Sequence, residues 1–379
     1  MIRETKRLDE IGTIVTGTTP QSSLLHSGAR VGIPFLTPTD IQHRELSTVT
    51  ERFLAEDAAA QFSTRLVPAG ATAVTCIGAS IGKTTMTKMV SLTNQQVNSV
   101  IPSPDYDQRF VYYSILTVVD HFADIAGGSA TPILNKSAFS EIRIPVAPID
   151  TQKGIALVLG TLDDKIAADT SAMCMAEQLI DALVYENVST SCSVSIADEL
   201  ILHYGKSLPA SKRVPGQIPV VGSGGIVGWH SSPLIEDPTV VVGRKGSIGA
   251  LHWIDSSSFP IDTTFWVQPT RLPTRILYSL LKLVDFSGSN TDSAVPGLNR
   301  SVAYEMPLPF ISEEAVAAVW DQVSSLDALC SHLKREVACL TKTRDELLPL
   351  LMSGKITVRE AEQEAATAGA DIAGEESEA

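Results

Sequence analysis

Apolar residues recur alternately three and four positions apart at Ile155, Leu159, Leu162, Ile166, Asp169, Met173, Ala176, Ile180 and Leu183. The same stripe returns 164 positions later at Val319, Val323, Leu326, Cys330, Leu333, Val337, Leu340, Arg344 and Leu347, and only Asp169 and Arg344 break it. A narrow stripe held for about four heptads predicts two long helices packed seam to seam. Leu162, Ile166, Ile180, Leu183, Leu326, Leu333, Leu340 and Leu347 are the expected seam contacts. Asp150 and Ser312 stand where helix N-caps belong, and Gly354 where a C-terminal glycine belongs.

Each helix follows a block of the same plan. TAVTCIGASIG from Thr72 aligns with TVVVGRKGSIG from Thr239, and SLTNQQVNSVIP from Ser91 with SFPIDTTFWVQP from Ser258. SATPILNKS from Ser129 aligns with SAVPGLNRS from Ser293. In these blocks β-branched runs broken by Gly and Pro predict strands, and Tyr106 to Phe122 is apolar at helical spacing. The fold class expected is α+β: two repeated mixed α/β domains separated by two long antiparallel coiled-coil helices. The boundaries expected are a first domain over 1–148, a helix over 149–188, a second domain over 189–311, a helix over 312–354, and an acidic, disordered tail over 355–379.

A net charge of −14 argues against a nucleic-acid partner until its distribution is examined. Residues 1–148 sum to −1 and 191–300 to +1, so the excess acid lies in the helices and tail. Near-neutral domains can bind DNA through one basic face, with partner subunits supplying further attraction. No run of about 18 apolar residues and no leader pattern are present, which predicts a cytoplasmic protein. The five cysteines lack metal-ligand spacing and are expected to be reduced, mostly buried thiols.

GASIGKTT resembles a phosphate-binding loop but has three residues between its glycines where four are needed, and GRKGSIGALH lacks the Lys-Thr altogether. The competing reading is a tight turn, with Gly82 and Gly249 at backbone angles that a side chain would forbid. GSGGIVG from Gly222 misses the dinucleotide spacing by one. No catalytic or metal-binding motif emerges. What remains are turns rich in side chains that meet nucleic acid: Lys83, Asn135 and Lys136 in the first half, and Lys206, Lys212, Arg213, Arg244, Lys245, Asn299 and Arg300 in the second. Arg and Lys suit phosphates and guanine, and Asn suits adenine.

Taken in order, IPFLTPTDI, CIGASIGK, TNQQVN and TPILNKS, then YGKSLPASKR, IPVVGSGGIVGWH, GRKGSIGALHW, PIDTTFWV and VPGLNR, closed by TRDELLPLLMSGKI, resemble the specificity subunits of type I restriction-modification systems. The resemblance spans roughly residues 8 to 358. It implies two target-recognition domains that each read one part of a split double-stranded DNA site, and helices that space them and dock two modification (methyltransferase) subunits and the restriction (translocase/nuclease) subunits. It also implies that this chain is non-catalytic and holds no cofactor, S-adenosylmethionine, ATP and Mg belonging to the partners. Two alternatives stay open: an orphan or scaffold subunit with drifted recognition, and an NTP-binding enzyme built on GASIGKTT. Because the halves read different sequences, residues alike in both copies suit framework or phosphate contact. Base readers are expected in the divergent segments 21–32, 40–70, 103–128, 207–217, 226–238 and 270–292.

Overall fold

Two helices, Ile149–Glu186 and Glu313–Ser353, realise the two stripes; at about 1.5 Å per residue they are about 57 and 61 Å long. The computed structural model describes residues 4–28, 31–42, 46, 50–127, 132–189, 191–286 and 297–370. Ser129–Thr131 and Ser293–Pro296 of the repeat, and the tail from Asp371, lie outside the described residues.

The chain divides into two compact units, Met1–Ala168 with Glu336–Ala379, and Asp169–Arg335, so each contains a stretch of both helices. In the first unit Ile155, Leu159 and Leu162 share a core with Leu340, Leu347 and Leu351. In the second, Ile180 and Val184 share one with Val319 and Val323. Early residues of one helix thus meet late residues of the other, and the pair is antiparallel. No seam position is exposed.

Arg344, one polar exception, donates from Nη1 to Asp163 Oδ1 at 2.6 Å, and the Tyr113 hydroxyl donates to Asp163 Oδ2 at 2.6 Å. Burial is the main influence on Asp163 and lifts its carboxyl above the ordinary range despite Arg344. Asp169, the other exception, is also buried. Ser312 caps the second helix by accepting from Ala315 N at 3.2 Å. Asp150 instead lies inside the first turn, because the helix already starts at Ile149. Gly354, at φ +69°, ends the second helix.

The sequence repeat is a repeat of fold. The first unit has an antiparallel sheet in the order Gly12–Thr16, Val97–Pro102, Thr72–Thr75, Thr84–Met86. The helix Gln108–Leu116 packs on it through Val111 and Ile115. The second unit repeats this with Leu200–Tyr204, Thr264–Pro269, Thr239–Gly243 and Leu251–Ile254, against Thr274–Leu281. A strand pair accompanies each sheet, Glu4–Arg7 with Arg143–Val146 and Ser193–Ser195 with Pro307–Pro309. The units differ in a second sheet. It has five strands in the first unit, and in the second three, built around the hairpin Ile218–Gly222 and Gly225–His230.

The helix expected over 106–122 is shorter: it ends at Leu116 and continues as single turns at Val119–His121 and Phe122–Ile125. Arg109 and Arg275, at matching places in the two sheet-backing helices, tie each sheet to the long helices. Arg109 makes a bidentate pair with Asp164 at 2.8 and 3.0 Å, and Arg275 reaches Glu177 at 2.6 Å and Asp327 at 2.9 Å.

Two expectations need correction. All five cysteines are free, but only Cys76 and Cys330 are buried. Cys174 and Cys339 each sit one position off the seam, on the outer side of their helices, and Cys192 is exposed as well. The tail is not wholly disordered: Val358–Thr367 is a helix. The Thr357 and Glu360 side chains cap each other's backbone, and Ala361, Ala365 and Ala370 bury against the core that holds Leu351 and Met352. Composition hid this because small alanines bury well only where a preformed surface receives them. Thr357→Ala is expected to cost about 1 kcal/mol, read as a lower urea midpoint of the first unit. Among the described residues no helix is long and apolar enough to cross a membrane.

Candidate nucleic-acid interface

The second unit brings together residues from three distant stretches. The strand Leu200–Tyr204 ends in a half-exposed tyrosine, and Gly205 follows where a Cβ would lie 2.1 Å from the Ile261 carbonyl oxygen. Lys206 is exposed, with its backbone N–H on Pro260 O at 3.1 Å. The strand Thr239–Gly243 delivers Arg244 and Lys245 to a turn whose amides both donate to Thr263 O, at 2.9 and 3.1 Å. Gly246 and Gly249 turn the chain there at φ +78° and +74°. Arg244 O accepts from Leu298 N at 2.9 Å, which fixes the approach to the short helix Arg300–Glu305.

These anchors place two guanidinium groups on one ring. Arg244 Cζ lies 4.9 Å and Arg300 Cζ 5.1 Å from the Tyr204 ring centroid. Arg244 also lies 5.8 Å from the Phe265 ring and donates to Asp262 O at 3.3 Å. Among the described residues no carboxylate pairs with Lys206, Arg244, Lys245 or Arg300. Cations gathered around an aromatic face without counter-charges suit phosphates and bases.

Other members of the expected set have structural duties. Asn135 Oδ1 accepts from Ala138 N at 2.9 Å, and Asn299 Oδ1 from Ser301 N at 3.0 Å. Both asparagines cap the helix that follows, Lys136–Glu141 and Arg300–Glu305. Arg213 donates to Val227 O at 2.7 Å and Leu208 O at 3.3 Å, stapling its loop to the hairpin. Lys212 is exposed beside it. Lys83 is half-buried, with its backbone inside the turn closed by Thr75 and Ser80.

The first unit builds the corresponding place differently. Thr16 stands where the second unit has Tyr204, and Ile77 and Gly78 where it has Arg244 and Lys245. Lys136 keeps the charge of Arg300 and is exposed. Arg65, from a divergent segment, donates to Thr16 O at 3.0 Å. Sequence reasoning missed Arg65 and Tyr204. The signal for Tyr204 was an aromatic immediately before a turn glycine.

GASIGKTT is a turn followed by the strand Thr84–Met86, with Thr84 buried, whereas a phosphate-binding loop requires a helix after its Lys-Thr. Gly82, at φ +87°, closes it through its N–H to Thr75 O at 3.0 Å. No cluster of metal-ligating side chains occurs among the described residues.

A duplicated α/β plan, each copy packed on a stretch of both long helices, with divergent loops on matching turns, defines a two-unit α/β protein. The family model described as "Type I restriction modification DNA specificity domain" matches residues 3–172. The chain is 31% identical over 167 residues to the type I restriction enzyme MjaIX specificity subunit of Methanocaldococcus jannaschii, covering 43% of this chain and 38% of that protein. It is 35% identical over 144 residues to the HindI specificity subunit of Haemophilus influenzae, covering 37% and 31%. The matched stretch is thus less than two-fifths of either relative's length. The type I S subunit structure from M. genitalium shares the fold at a TM-score of 0.63 and 18% identity, covering 92% of this chain and 96% of that one. Over residues 3–172 the chain is thus similar to the DNA specificity domain of type I restriction-modification systems.

Proposed function

We propose that this protein is the DNA-reading specificity subunit of a type I restriction-modification complex, with each unit's sheet domain reading one half of a bipartite site. The observation that carries the reading is the cationic cluster around Tyr204, without a carboxylate partner among the described residues and set on the turns that the repeat duplicates. Lys83, Lys136, Lys206, Lys212, Arg244, Lys245 and Arg300 are the side chains offered to DNA. Asn135, in the first unit, and Asn299 and Arg213, in the second, shape their own unit's turns through their caps and staple, with the amide groups of the two asparagines still able to donate. The domains read as 1–148 and 189–311, with the helices as spacer. The chain works in the cytoplasm without catalysing a step. Two modification subunits dock on it and use S-adenosylmethionine, and restriction subunits use ATP and Mg.

The test is methylome sequencing of a host carrying the complex, before and after residues 1–148 are exchanged for the matching domain of a relative. One half of the methylated motif is expected to change while the other half stays. A motif altered in both halves, or in neither while the exchanged complex still methylates, would overturn the assignment.

A further inference from the structure

We infer that Tyr204, Arg244 and Arg300 form a clamp for the phosphodiester backbone, in which the arginines bind phosphate and Tyr204 is the positioning residue that holds them. The inference rests on the DNA-binding reading above and adds which part of DNA this cluster takes and how it is preorganised.

Two like charges lie about one ring, at 4.9 and 5.1 Å from its centroid, with no carboxylate partner among the described residues. Repulsion between them is offset when an anion sits within reach of both, and the planar guanidinium fork matches phosphate oxygens in bidentate geometry. Exposed Lys206 and Lys245, neighbours in sequence of Tyr204 and Arg244, add to the same field. The ring itself is only half-exposed, at 47%, and tilted against Phe265 at 5.0 Å with an interplanar angle of 54°. It is therefore anchored from below while its remaining surface orders the arginines.

Phosphate is favoured over a base at Arg300 by what the two copies share, and at Arg244, which Ile77 replaces in the first unit, by the framework bonds that hold its main chain. The first unit keeps a capping asparagine followed by a cation, Asn135 and Lys136, where the second has Asn299 and Arg300. The charge is kept but the fork is not. Reading guanine through a bidentate arginine would be sensitive to that exchange, and two domains reading different half-sites have no use for a shared base contact. The main-chain bonds from Arg244 to Thr263 and from Leu298 to Arg244 set the clamp on the framework, outside the divergent segments.

The test measures binding of the complete complex to two duplexes, one carrying the methylated motif and one of random sequence, across a salt series. Arg244→Gln with Arg300→Gln is expected to reduce the slope of log affinity against log salt by about 1.8, or about 0.9 per phosphate contact. Both duplexes should lose affinity alike, so their ratio holds. Tyr204→Leu leaves both charges in place and should weaken binding at every salt concentration with the slope kept, while Tyr204→Phe should bind as the natural protein does. An unchanged slope in the double variant, or a falling motif-to-random ratio with one base position relaxed, overturns the clamp. A Tyr204→Leu variant that binds normally overturns the positioning role. Failure of the underlying reading shows separately, as a natural complex that does not distinguish the two duplexes.

Discussion

Replacing Arg344 with isoleucine should destabilise the first unit by about 3–5 kcal/mol, the range observed when one partner of a buried ion pair is removed. The substitution fits by shape, since Ile180 holds the matching seam position in the second unit and is fully buried. What it leaves behind is the problem. Asp163 is 5% exposed, and without Arg344 its carboxylate keeps the Tyr113 hydroxyl as a partner, at 2.6 Å, but no counter-charge from the seam. Asp163→Leu added to Arg344→Ile removes the stranded charge and should recover most of the loss, because apolar replacement of a whole buried pair is often neutral or stabilising.

The tryptophans give a direct readout. Trp229, Trp253, Trp266 and Trp320 all belong to the second unit. In urea, far-UV circular dichroism of Arg344→Ile should therefore show an early loss that tryptophan fluorescence does not follow. Coincident transitions at the natural midpoint would mean that the pair contributes nothing to the first unit.

The repeat and the seam were legible because they are periodic. A stripe of Leu and Ile every three or four residues, copied 164 positions on, has one economical burial, and the cores that join Leu162 to Leu340 and Ile180 to Val323 show it. The second sheets were not legible. Short strands such as Leu25–Ser27 and Leu66–Val67 take their order from partners far along the chain, and two or three residues carry no period. The basic residues of the interface could be read as a set, but their neighbours could not. Tyr204 and Arg300 meet through tertiary structure across nearly a hundred residues. Asn135 and Asn299, chosen for adenine chemistry, are caps whose signal was their place before a short helix.

Lengthening both helices together should lengthen the gap in the methylated motif. Each long helix runs without a break from residues of one unit into residues of the other, so an insertion at the middle changes the helical path between them. Seven residues add two turns and keep the seam in phase. At about 1.5 Å per residue this is about 10.5 Å, or about three base pairs at about 3.4 Å each. The facing positions can be located from the contacts. Cys330 Sγ is 3.9 Å from Met173 O, and Lys165 pairs with Glu336 at 3.2 Å. An insertion after Met173 is therefore matched by one just before Cys330, after Leu329. Placing the second after Val337, as equal spacing along the repeat would direct, puts it opposite the region of Lys165 and leaves a stretch of seam out of register.

The matched pair of insertions separates Lys334 from Asp255, an ion pair with a lysine 57% exposed, which costs at most about 1 kcal/mol. The ties of Arg275 to Glu177 and Asp327 lie on the same side of the insertions as the second domain and are kept. The expected methylome keeps both half-motifs and widens the gap by about three base pairs. Size-exclusion chromatography identifies variants in which docking has failed, so that lost methylation is not mistaken for lost spacing. An assembled complex that methylates the original motif with its gap unchanged would show that the helix pair does not set the separation of the half-sites.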